Sequence, residues 1–166
     1  MKKFIKELVP YVVIIIVVVL IRTYIITPVI VVGDSMVPTL EENQILLLNK
    51  FDYKFNKIER YDIVVIKVGN GEIIKRIIGL PGENIEYRNN KLYINGHEEE
   101  TIYNFDTEDF TLKEICNCDK IPQDKYLVLG DNREVSSDSR GPIGLIEKES
   151  IKGSTTISIW PMKLVK

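Results

Sequence analysis

A chain of 166 residues has room for one ordinary domain, or for a small domain behind an anchor. Its composition, 45% hydrophobic and 28% charged, is globular, and a formal net charge of -2 supplies no basic field to hold DNA or RNA. The sequence contains no alanine, which removes any Ala-x-Ala processing site. Its two cysteines, Cys116 and Cys118, stand one residue apart, close for an easy disulfide, and neither a second cysteine pair nor a nearby histidine completes a metal site. They read as two unpaired thiols in a loop, and no metal or other cofactor is expected.

The first element in chain order is apolar. From Leu8 to Ile21 the chain runs LVPYVVIIIVVVLI without a charge and continues past Arg22 into TYIITPVIVV. Fourteen uncharged residues fall short of the ~20 of a spanning helix. Phe4, Ile5 and Tyr24 to Ile26 extend the segment, and Arg22 can snorkel to a headgroup. No small-residue cleavage site follows, so residues 1–27 read as an uncleaved anchor in contact with membrane lipid. Lys2, Lys3 and Lys6 precede it, and no Lys or Arg follows Arg22 until Lys50. That asymmetry puts the N-terminus in the cytoplasm and residues 28–166 outside.

Beyond Pro28, β-branched runs alternate with turn signals: QILLLNK, YDIVVIKV, GEIIKRIIGL, NIEY, KLYI, KYLVLG and STTISIW. This spacing predicts an all-β domain. Asn89-Asn90 and Asn95-Gly96 suit tight hairpin turns. Residues 98–122 are acidic and lack alternation, and read as a surface insertion without chemistry. His97, beside the Gly96 turn, reads as solvent-facing, and for Trp160 both a core and a membrane-interface position stand open.

Three segments combine polar residues with turn formers beyond what strands require: GDSMVPTL at 33–40, IIKRIIGLPGE at 73–83 and GDNREVSSDSRG at 130–141. Alone, Ser35 could be an ordinary turn residue ahead of Pro38. A Ser-His-Asp triad would rest on His97, the only histidine, so the remaining base is a lysine. In GEIIKRIIGL alternation puts Lys75 on one strand face and Arg76 on the other, so one of them points inward unless the strand is an edge. A lysine among isoleucines is desolvated, which lowers its pKa. Bringing it from ~10.4 to about 7 to 8, where a base works best, costs roughly 3 to 5 kcal/mol.

Together the three segments, from about Lys2 to Pro161 and leaving 98–122 unmatched, resemble the serine, lysine and C-terminal boxes of bacterial type I signal peptidases. The resemblance implies a membrane-bound serine endopeptidase that removes signal peptides from exported precursors, cutting after small residues, without a cofactor. It makes Ser35 the nucleophile and Lys75 the general base, with Met36, Pro38 and Thr39 in the turn after the serine. Ser136 matches the hydroxyl that orients the lysine. Asp131, Asn132, Asp138, Ser139 and Arg140 match structural support, the pair Asp138–Arg140 included. Where some members carry an oxyanion-hole serine this chain has Gly33, which leaves backbone N–H groups, chiefly that of Ser35. Val29, Val31, Met36, Leu40, Ile73 and Ile74 match the apolar pockets for small substrate residues. The endoplasmic-reticulum type has His where Lys75 stands, and self-cleaving repressors of this fold need an Ala-Gly or Cys-Gly bond that this chain lacks.

Overall fold

The computed structural model describes residues 2–50, 58–101, 103 and 105–165. Helix α1, Lys2–Tyr24, takes up the apolar segment. Its stretch Lys6–Tyr24, of mean hydropathy 2.1, is not buried among the described residues and is long and apolar enough to cross a membrane. The 19 residues rise ~28 Å, close to a hydrocarbon core. One residue separates it from strand β1, Ile26–Ile30: the Ile25 amide closes the last turn onto the Ile21 carbonyl at 2.8 Å, and Thr27 Oγ1 donates to the Arg22 carbonyl at 3.0 Å. Carbonyls that a helix C-terminus leaves orphaned are thereby satisfied.

The regular structure that follows is mainly strand. β2 (Ile45–Asn49), β3 (Ile63–Val68), β4 (Gly71–Gly79), β9 (Lys125–Leu129), β10 (Ile146–Glu147), β11 (Ile151–Trp160) and β12 (Lys163–Leu164) join β1 in one sheet, ordered β1-β2-β11-β3-β4-β9-β10, with β12 on β11. β5 (Ile85–Arg88), β6 (Lys91–Ile94), β7 (His97–Glu98) and β8 (Phe110–Thr111) form a second sheet ordered β7-β6-β5-β8. The all-β expectation holds. The Asn pairs also act as turns: Asn89 and Asn90 join β5 to β6, and Asn95 and Gly96 join β6 to β7, all at positive φ, as two-residue hairpins of this hand require. His97 is exposed, and so is Trp160, at 69%.

Two expectations need correction. Residues 98–122 are not a mere surface insertion. Phe110 in β8, Leu112 in the short helix α2 (Leu112–Cys116) and Ile121 are buried with Ile78, Ile85, Tyr87 and Leu127 between the two sheets. Acidic neighbours mask these few apolar positions; Ile102 and Asn104 lie outside the described residues. Nor are the cysteines free: Cys116 and Cys118 form a disulfide. Asn117 between them is left-handed (φ 52°) and brings their Cα atoms to 5.2 Å, within bridging range.

Candidate active site

The serine segment leaves β1 through Val31, whose amide bonds the Gln44 carbonyl at 2.9 Å, and turns at Gly33 with φ 81°. A helix-like turn follows, Val37 N to Asp34 O at 3.1 Å and Leu40 N to Met36 O at 2.9 Å. Met36 and Leu40 drive it by burying themselves with Val31, Leu46 and Ile63. Ser35 begins this turn, half-buried, with its carbonyl tied to the Asn132 amide at 3.0 Å. Among the described residues the Ser35 amide donates to no acceptor.

Lys75 comes from the middle of β4, where β3 lies on one side and β9 begins on the other. Its side chain is 3% exposed and its Nζ is hydrogen-bonded to Ser35 Oγ at 2.6 Å. Burial pulls the lysine below its ordinary pKa; the Asp138 and Asp131 carboxylates work against that, and the Arg140 guanidinium with it. A buried lysine eased toward its neutral form, in contact with a hydroxyl, has the geometry of a general base and its nucleophile.

The third segment closes the site from the end of β9. Gly130 lies so close to Ser35 and Ser136 that an added Cβ would strike the Ser35 carbonyl oxygen and Ser136 Oγ. Its amide donates to Asp138 Oδ2 at 3.0 Å. Arg140 grips the same carboxylate in a fork, Nε to Oδ1 and Nη2 to Oδ2, both 3.0 Å. Burial would raise the Asp138 pKa, but the bonds from Arg140 and the Gly130 amide outweigh it and hold the carboxyl below its usual value. Ser139 pairs with Val128 of β9 through both its amide and its hydroxyl. Ser136 is brought to the site, yet its buried hydroxyl makes no hydrogen bond to Lys75 and has no partner of ordinary length. Its influence falls instead on Asp138, whose pKa it helps to lower.

Sequence reading missed Arg76 as part of this site. Because β4 is covered on both faces here, both cations point inward, one per face. Arg76 is fully buried and forks onto Asp131, Nε to Oδ1 at 2.9 Å and Nη2 to Oδ2 at 2.6 Å. Thr39 Oγ1 donates to the same carboxylate at 2.5 Å, and the Tyr103 ring lies 4.1 Å from the guanidinium. Serine, lysine and C-terminal segments thus meet at Asp131. The alternation of Lys75 and Arg76 carried the signal, but only the sheet order shows that neither face is solvent.

A groove of about 260 Å³ opens beside Ser35 and Lys75, between residues 29–33 and the first half of β4. Val29, Val31, Met36, Ile73 and Ile74 line it, with Gly33. Leu40 does not: at 0% exposure it sits in the core behind the serine turn, because the turn faces it away from the groove.

Residues 2–160 match the family model described as signal peptidase, peptidase S26. The chain belongs to this family. It is 37% identical to signal peptidase IB of Staphylococcus aureus (strain Mu50 / ATCC 700699) over 158 residues, 86% of this chain and 82% of that protein. Signal peptidase I of Bacillus caldolyticus is 36% identical over 165 residues, 93% and 90% of the two chains. A solved structure of a signal peptidase I from Enterococcus faecalis V583 superposes with a TM-score of 0.55 at 38% identity, covering 60% of this chain and 97% of that one. As a member of the signal peptidase family the chain is a membrane-anchored serine peptidase that removes signal peptides, a β-domain behind one N-terminal membrane helix.

Proposed function

We propose that Ser35 and Lys75 perform this cleavage as nucleophile and general base. The observation that carries the assignment is the 2.6 Å contact between Ser35 Oγ and a lysine only 3% exposed. Neutral Lys75 takes the Ser35 proton as Oγ attacks the scissile carbonyl, then passes it to the leaving amine; the same nitrogen, neutral again, activates the water that hydrolyses the acyl-enzyme. The oxyanion is held by the unengaged Ser35 amide, with Gly33 keeping the approach open. Once Ser35 is acylated, the unpartnered Ser136 hydroxyl is the group on hand to orient the lysine. Asp131, Asn132, Asp138, Ser139 and Arg140 support the geometry.

Precursor proteins bearing signal peptides are the substrates, bound extended in the groove with small residues against Val29, Val31, Met36, Ile73 and Ile74. The N-terminus is cytoplasmic and the β-domain lies outside, as Lys2, Lys3 and Lys6 ahead of the helix favour. Lipid touches the domain as well as the anchor. Ile30, 59% exposed, and Trp160 both stand opposite Ile45 in register, and Met162 (88%) and Leu164 (75%) continue the apolar strip. Purified chain in detergent is expected to cut a precursor with an Ala-x-Ala site and its Ser35→Ala variant to leave it whole; an inactive wild-type chain, beside an active relative, would refute the assignment.

A further inference from the structure

The groove is apolar except for Ser35 and Lys75 at one end and Glu72 at the other. Both come from β4. From Gly71 to Lys75 this strand pairs only with β3, since β9 joins it from Arg76 onward, so the edge facing the groove is open. Glu72 is exposed there, and among the described residues it makes no ion pair. Lys67, opposite it across the ladder, is exposed and leaves it unpaired.

An extended peptide laid along this edge advances about 3.4 Å per residue, so the three residues from Lys75 to Glu72 correspond to roughly 10 Å of substrate. With the scissile carbonyl at Ser35, the fourth residue before the cut comes level with Glu72. A strand docked here displaces water from the groove, which penalises an unmatched carboxylate and strengthens a matched one. We propose that Glu72 is a specificity-determining residue that favours precursors with Lys or Arg four residues before the cut and disfavours Asp or Glu there. This rests on the reading of Ser35 and Lys75 as the site of cleavage.

The test uses three peptides that differ only at that position, carrying Lys, Gln or Glu, with the full chain in detergent at low salt. In the wild type kcat/KM should fall from Lys to Gln to Glu by about three- to fivefold per step, with the spread shrinking as salt is added. The Lys-to-Glu ratio should collapse toward one in Glu72→Gln and invert in Glu72→Lys. No preference in the wild type, or the same preference in Glu72→Gln, overturns the proposal. Binding of the same peptides to Ser35→Ala, followed by fluorescence anisotropy, separates the two readings. If nothing is cleaved yet the Lys peptide binds tighter and a Glu72→Gln change added to Ser35→Ala removes the difference, the cleavage reading fails and Glu72 stands; equal binding of all three removes Glu72 whatever cleavage does.

Discussion

Lys75 is held between opposing influences, and each is attached to a nameable side chain. Burial favours its neutral form, while Asp138 and Asp131 favour the charged one. The acid limb of the pH–activity profile should therefore lie below the ordinary lysine value of 10.5, and Asp138→Asn should move it to still lower pH. A profile of kcat/KM for both proteins checks this, and a limb that moves upward would contradict it. Asp138 titrates in the opposite sense. Its folded pKa lies below the usual 3.8, so it stabilises the fold above that value and ceases to as pH falls through the folded pKa. Asp138→Asn should therefore be destabilised most near neutrality and least in acid, measured by urea unfolding across pH. Flanking isoleucines hinted in sequence that Lys75 or Arg76 is buried, but they flank both cations alike, and only the resemblance of the three segments singled out Lys75. That the Ser136 hydroxyl stops short of Lys75 was not legible, because a hydroxyl's direction depends on loop backbone that no residue pattern records.

At the scale of elements, the serine turn and the loop that carries Ser136 close on Gly130 at the end of β9, where no side chain fits. Gly130→Ala should cost about 1–3 kcal/mol by overpacking, and cleavage should fall more than tenfold because the Ser35 carbonyl is what the new methyl meets. Denaturant unfolding with activity on the same sample checks both. The disulfide at the C-terminal end of α2 closes a small ring, so reducing it should cost only about 1.5 kcal/mol, read as a shift in the unfolding midpoint. Hairpins at Asn89-Asn90 and Asn95-Gly96 could be read directly from residues that tolerate positive φ. Residues 98–122 could not, since Phe110, Leu112 and Ile121 become core only when the second sheet lies over β4 and β9. Leu40 was misplaced for a related reason: the same helical turn that exposes Ser35 sends it inward.

Across the whole molecule, Arg76 and Asp131 tie together parts of the chain 55 residues apart. Either Arg76→Met or Asp131→Leu alone leaves a buried charge unpaired and should cost about 3–5 kcal/mol, whereas the double variant should cost less than the sum. Helix α1 runs into β1 with one residue between, so the groove edge formed after β1 is held close to the membrane helix. Serine, lysine and C-terminal segments, far apart in sequence, act as one site because that buried pair and Gly130 bring them together. The most direct measurement is cleavage of an Ala-x-Ala precursor by Lys75→Arg in detergent, beside the wild type. A guanidinium does not give up its proton in proteins and cannot serve as the base. The expected result is no cleavage with unchanged circular dichroism; cleavage near the wild-type rate would contradict the assignment of Lys75.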